Sequence, residues 1–416
     1  MAGEYGSGRG FVAAQLDGGI KMIFQLGDQL QRGMVDVAYG ALTGDAATPR
    51  LMFKTALDMA QCMAAAASAL TSERESRLAW LELQNKLEAF NLFAHVDLAL
   101  ELPRDGVASL AELVGRAAAL DPYRSVWATE GIGHLYAEQR PSAADAVNLK
   151  GEVGRLPESS LAALHAGAGL SLAGGCLGLL APGSSDAELR QSLEQFIALC
   201  DESAEAGYEG AAYEALGLAA RNLHPQLLSD IDRHLCDIGE DLVGYFWHGV
   251  GRGIYFTPTN FLPNNSEPWR AVGQTRQEPP HELGRLNALA GLVWALTLVN
   301  IRHPEVIESF LLHHVRDAAE CDAFVNGLSS ALIIWRGSSP DDAALRGLRR
   351  HRPAEPQAAE LWDVCVNRPC AEVSRHYYPA FSEHGCLGLV FRYQSLPELI
   401  AHLERGAAGA AGDGGR

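Results

Sequence analysis

The chain has 416 residues, 48% of them hydrophobic, and a formal net charge of −18. That apolar share is ample for a buried core, and the acidity argues against a nucleic-acid partner, because a phosphate backbone selects for basic surface. Only four of the 33 basic residues are lysines (Lys21, Lys54, Lys86, Lys150), which, with the abundant Ala and Gly, reads as the codon bias of a GC-rich bacterial genome.

The first residues, MAGEYGSGRGF, lack a basic segment followed by an apolar one, so no signal peptide is expected. Residues 1–120 are expected to form an N-terminal helical subdomain. Within it, residues 50–70 and 73–100 carry apolar positions at three- and four-residue spacing. The eight cysteines read as reduced, buried thiols, and the protein is expected to be cytoplasmic. The longest apolar runs, GAGLSLAGGCLGLLAPG and ALAGLVWALTLV, fall short of the roughly twenty residues of a membrane span, so no span is expected.

Between residues 121 and 336 one short pattern recurs six times: a polar or small residue, Gly, an apolar residue, a small one, then more apolar sequence. The copies are TEGIGHLYAE, HAGAGLSLAG, YEGAAYEALG, WHGVGRGIYF, LAGLVWALTL and VNGLSSALII. Their glycines, Gly131, Gly167, Gly210, Gly249, Gly291 and Gly327, are spaced 36 to 43 residues apart, the length of a helix pair in stacked helical repeats. Glycine in a helix interior costs about 1 kcal/mol relative to alanine. Six recurrences therefore predict close helix–helix contacts, where a missing Cβ lets backbones approach. The fold expected is all-α: hairpin repeats of about 40 residues stacked into a curved or closed array.

Conventional amphipathic helices alternate with the glycine helices. Two start alike, at His224-Pro225 and His303-Pro304, where proline suits a first helical position. Asp186 reads as the cap of a third. A proline-rich insertion at 257–283 suits a lid, and a second polar insertion spans 336–358. A C-terminal helical segment is expected over 337–404, and an unstructured tail over 405–416.

The residue before each glycine occupies an equivalent place: Glu130, Ala166, Glu209, His248, Ala290 and Asn326. Four of the six are polar in segments built for burial, and buried polar groups must be paired. The alternatives are a functional surface and ordinary helix-end hydrogen bonding. Glu130, His134 and Glu138 share one helical face at i, i+4, i+8 and form a candidate iron or manganese site, against the plain reading of an exposed polar face. In the fourth repeat Trp247, Tyr255 and Phe256 surround His248 and Arg252. His248, Arg252 and Glu209 are the candidate catalytic group, an imidazole, a guanidinium and an acid. Glu130, His134, Asn326, Trp247, Tyr255 and Phe256 are candidate substrate contacts. The acidic run DIDRHLCDIGED reads as a solvated face, and the C-terminal Cys365, Cys370, His376, His384 and Cys386 lack zinc-site spacing.

YEGAAYEALG, ALHAGAGLSLAGG and WHGVGRGIYFTPTNF resemble phrases of an uncharacterised all-helical bacterial family found in enediyne polyketide gene clusters. The resemblance covers roughly residues 120–260 and, more loosely, 280–335. It implies a place in natural-product biosynthesis and brings no catalytic residues with it. Three readings stay open at this point. One is a protein binding or transforming an apolar polyene-like intermediate, alone or with biosynthetic partner proteins. The second is a helical scaffold for partner proteins, and the third a metal-dependent helical oxidase. The cofactor is left open, with none expected ahead of iron or manganese.

Overall fold

The computed structural model describes residues 47–102, 108–139, 149–152, 155–180, 183–257, 260, 270–339 and 343–413. The described residues form helices and no strand, so the fold is all-α. Residues 1–46 of the N-terminal segment, residues 258–259 and 261–269 of the lid expected at 257–283, and residues 340–342 of the second insertion lie outside them.

Two helices open the described chain, α1 (Ala47–Leu70) and α2 (Arg74–Ala94). They share a small core of Leu57, Ala64, Leu83 and Leu87. Next come α3 (Leu110–Ala118), α4 (Pro122–Glu138), α5 (Glu158–Gly178), α6 (Asp186–Ser203), α7 (Glu209–Leu223), α8 (Leu228–Ile238) and α9 (Glu240–Tyr255). They are followed by α10 (Arg270–Gln277), α11 (Glu282–Val299), α12 (Pro304–His314), α13 (Ala318–Ser338) and α14 (Ala343–Arg350). The starts follow local chemistry. Asp121 accepts from the Arg124 N–H, with Pro122 at the first position of α4. Ser185, not Asp186, caps α6, because its hydroxyl completes a capping box with Glu188.

All six repeat glycines lie in helices, and a Cβ on any of them would run into the backbone of another element. The contacts follow a rule. The Glu130 carbonyl of α4 fills the Cβ space of Gly167 on α5, and Leu164 of α5 reciprocally fills that of Gly133. Glu214 of α7 meets Gly249 of α9, and Phe246 meets Gly217. His248 of α9 meets Gly291 of α11, and Ala288 meets Gly251. Ala290 of α11 meets Gly327 of α13. Helices α4, α7, α9 and α11 thus each offer a carbonyl to the next helix's glycine, whereas between α5 and α7 the contact runs backward, from Ala212 to Gly169. Helices α4, α7 and α9 also carry a glycine three residues later: Glu130/Gly133, Glu214/Gly217, His248/Gly251.

This register corrects one sequence assignment. In α7 the residue equivalent to Glu130 and His248 is Glu214, five positions past Glu209, because the backbone against Gly210 is that of Gly388 in a C-terminal turn and not that of a neighbouring glycine helix.

Helices α4, α5, α7, α9, α11 and α13 pack in chain order, and α13 returns to α5. The array curls back on itself, since Arg252 of α9 reaches Glu130 of α4. Helices α6 and α8 pack on the outside of this inner row, and α12 bridges to α2. By length and composition α5 and α11 could each cross a membrane, but 67% and 78% of those windows are buried inside the protein.

The C-terminal part is a bent run from Pro356 to Glu383 containing two π-turns, Asp363–Asn367 and Val373–Tyr377. Each π-turn sits just ahead of a proline, Pro369 and Pro379. A proline ring crowds the carbonyl four residues back and donates no N–H. A widened turn, closed by Arg368 N–H to the Asp363 carbonyl and Tyr378 N–H to the Val373 carbonyl, accommodates both demands. The last helix, α15 (Leu396–Asp413), continues through residues expected to be an unstructured tail. Its alanines, the best helix formers, offset the interspersed glycines.

Candidate functional site

Three inner helices place their equivalent residues around one guanidinium. Arg252 donates to Glu214 Oε2 at 2.7 Å and to Glu130 Oε1 at 2.8 Å. Glu214 Oε1 accepts from His248 Nδ1 at 2.9 Å. All four side chains are buried. Arg252 follows His248 by one turn of α9, so both project from the same face. Burial works against the Arg252 charge, but Glu130 and Glu214 outweigh it and hold its pKa above the usual value.

Burial lowers the His248 pKa, with the Glu214 hydrogen bond partly opposing it. The imidazole is therefore neutral near pH 7, with its proton on Nδ1 facing the carboxylate. That leaves Nε2 a lone-pair acceptor, and Nε2 is buried without a hydrogen-bond partner. Two aromatic rings lie beside it: Trp294 at 6.3 Å and Phe391 at 6.5 Å between centroids. The Arg252 guanidinium stacks over Trp294 at 4.3 Å. Nε1 of Trp294 and the hydroxyl of Ser330 are also buried and unpartnered. The packing register makes Trp294 and Ser330 the counterparts, on α11 and α13, of Arg252 on α9. The inner face thus offers one base and two neutral donors, while its guanidinium has both terminal nitrogens paired and only Nε–H, buried, without a partner.

Several expected members lie elsewhere. Glu209 stands half-buried at the start of α7, where its carboxylate accepts from the Gly207 N–H at 2.8 Å. Trp247 points away from His248, and its indole N–H donates to Asp232 at 2.6 Å. Tyr255 donates to Glu82 at 2.7 Å, and Phe256 packs edge-on against Trp127. Asn326 donates to the Gln394 carbonyl at 2.6 Å. The cavity bounded by Thr129, Ser160 and Ser338 measures about 30 Å³, room for water but not for an extended ligand.

The expected metal triad does not assemble. Glu130 is tied to Arg252, His134 packs edge-on against Phe93, and Glu138 is exposed. The one His/Cys/Asp/Glu group among the described residues with converging ligand atoms is Asp232, Cys236 and His281. Its chemistry resists a metal. His281 Nδ1 accepts from the Gly284 N–H at 2.9 Å, so Nε2 carries the ring proton and donates it to Asp232 at 3.0 Å. A neutral imidazole so engaged has no lone pair to give. This group also corrects the reading of DIDRHLCDIGED as wholly solvated, since Asp232 and His234 are buried.

A second buried network has no counterpart among the sequence expectations. Glu82 and Lys86 of α2 lie 3.2 Å apart, with the Lys86 ammonium 4.0 Å over the Tyr255 ring. Asn300 donates to the Tyr255 hydroxyl at 3.0 Å and accepts from Asn85 at 3.0 Å. Burial pushes the Glu82 carboxyl up and the Lys86 amine down, both toward neutrality. This network ties α2 to α9 and to the end of α11. Glu214, by contrast, was findable. The spacing Glu-x-x-Gly is common to EGIG at 130–133 and EALG at 214–217, with HGVG at 248–251 as its histidine counterpart.

No family model matches the chain, no curated protein matches its sequence, and no solved structure matches its fold.

Proposed function

We propose that this is a cytoplasmic bacterial protein of polyketide-type natural-product biosynthesis that binds or transforms an apolar, polyene-like intermediate at the centre of its helical array. The observation that carries the reading is the Nε2 atom of His248. It belongs to a neutral imidazole, is oriented from behind by Glu214, and sits beside two aromatic rings without a partner. A carboxylate–imidazole pair of this kind suits a general base. Trp294 and Phe391 supply apolar wall for an extended ligand. Arg252 has only its Nε–H left to offer a ligand. Its two carboxylate partners take up its charge, so the polar end of the ligand is neutral, a hydroxyl or a carbonyl.

The test is co-expression with a polyene-producing polyketide synthase, followed by solvent extraction of the purified protein and mass spectrometry. The parent protein is expected to carry or convert a polyene. His248→Gln, which keeps a donor toward Glu214 but lacks the imidazole base, is expected to lose conversion or binding while remaining folded. Equal product from both proteins would overturn the role of His248.

A second reading, a non-catalytic helical scaffold for partner proteins, is favoured by the small size of the cavity and by the pairing of both terminal nitrogens of Arg252 with carboxylates. On that reading the network fixes the fold, and extracts of parent and variant are alike and empty.

A further inference from the structure

Of the eight cysteines, Cys321 and Cys365 stand apart because their sulfurs touch, with Sγ to Sγ at 3.1 Å. Cys321 is half-buried in the first turn of α13, and Cys365 is buried in the first π-turn of the C-terminal run. A disulfide bond is about 2.05 Å long, so about 1 Å of closure separates this pair from a covalent link. The widened turn that carries Cys365 is also where helical backbone has slack, since its hydrogen bond spans five residues instead of four.

We propose that Cys321 and Cys365 are a hydroperoxide-sensitive dithiol that closes to an intramolecular disulfide, stapling α13 to the C-terminal run. Cys321 reacts first because it is the more accessible of the two. Its sulfur attacks one peroxide oxygen, the O–O bond breaks, and hydroxide leaves with the thiol proton as water. The product is a sulfenic acid. The Cys365 sulfur then attacks the Cys321 sulfur, the S–S bond forms, and the S–O bond breaks. Hydroxide departs with the Cys365 proton as a second water. Two thiols are oxidised by two electrons, and hydrogen peroxide is reduced to two waters. Burial, reinforced by the contact with Cys321, pushes the Cys365 thiol up to about 12. It therefore waits as a thiol until a sulfenic acid forms beside it.

The link would join segments 44 residues apart. Such a loop, once closed, restricts the unfolded chain and raises the melting temperature. It would also pin the run that leads into Phe391, the ring beside His248.

The experiment uses the full chain carrying Cys62→Ser and Cys236→Ser, which removes the two exposed thiols. After treatment with hydrogen peroxide and alkylation under denaturing conditions, peptide mapping is expected to find the 321 and 365 peptides joined. The protein should be monomeric, lighter by two hydrogens, and restored by dithiothreitol. Its melting temperature should rise by several degrees, and Cys321→Ser should abolish both changes. Recovery of both thiols in alkylated form overturns the proposal, as does Cys321 oxidised to sulfinic or sulfonic acid without a cross-link. If Cys321→Ser fails to fold, the parent's peptide map decides alone.

Discussion

The carbonyl oxygen of His248 occupies the space a Cβ on Gly291 would need. The residue proposed as the base is therefore fixed in place by a glycine of the neighbouring helix, and site and packing cannot be altered separately at this point.

A methyl group at that glycine must push two helix backbones apart. Gly291→Ala is expected to lose about 2–3 kcal/mol by overpacking. Gly175→Ala on α5, where a Cβ would meet nothing within 4 Å, should instead gain about 0.5–1 kcal/mol, because alanine is the better helix former. Urea denaturation of both variants measures the difference. Equal effects of the same sign would remove the packing argument.

Removing the guanidinium strands two carboxylates in the core. Arg252→Met is expected to destabilise by about 3–5 kcal/mol, whereas Glu130→Gln should cost less, since Arg252 keeps Glu214 at 2.7 Å. A stable Arg252→Met protein, read by the same urea titration, would mean the network is dispensable to the fold.

Acid should weaken the protein through His165. Burial lowers its pKa from 6.5 to about 4. The ring is satisfied only when neutral, with Nδ1–H on the Leu161 carbonyl at 2.7 Å and Nε2 accepting from the Glu205 N–H at 2.9 Å. The folded pKa lies below the unfolded one, so the unfolded state binds the extra proton. Stability is full above pH 6.5 and falls as pH drops toward 4, by roughly 3 kcal/mol from this group. Melting temperatures across that window should fall for the parent and flatten for His165→Gln. An unchanged slope in the variant assigns the acid sensitivity to other groups.

Cobalt or zinc should find no tight site at Asp232, Cys236 and His281, because both ring nitrogens of His281 are engaged. Burial and the neighbouring acids also raise the Cys236 thiol pKa, which disfavours the thiolate a metal needs. Titration with Co²⁺ is expected to give no thiolate charge-transfer band. A saturable band lost in Cys236→Ser would establish the site instead.

The glycine pattern was enough to foresee helices and their close crossings, because an unfavourable residue repeated at fixed spacing has few other physical causes. It misplaced α7. YEGAAYEALG carries both a Glu-Gly pair and a Glu-x-x-Gly phrase, and only the crossing itself tells which glycine faces the neighbouring inner helix. His248 and Arg252 were legible as a pair from their one-turn spacing. Glu130 and Glu214 could be singled out by repeat equivalence, but their convergence on Arg252 could not, since Glu130 lies 122 residues away from Arg252 and nothing local announces a contact across the array. The aromatic neighbours misled for a related reason. Trp247 and Tyr255 flank His248 in sequence, but their places on the helix turn them toward Asp232 and Glu82. The rings that do meet His248 come from α11 and from beyond the C-terminal π-turns.

The return of α13 to α5 has a consequence for how this architecture can be built and lost. An open stack of helix pairs tolerates an added or deleted unit, since its ends are merely recapped. A row that meets itself has a fixed membership: removing one member leaves two bare flanks and unties a guanidinium anchored on both sides of the centre. Denaturation should accordingly be one all-or-none event for residues 122–338, without progressive fraying from either terminus.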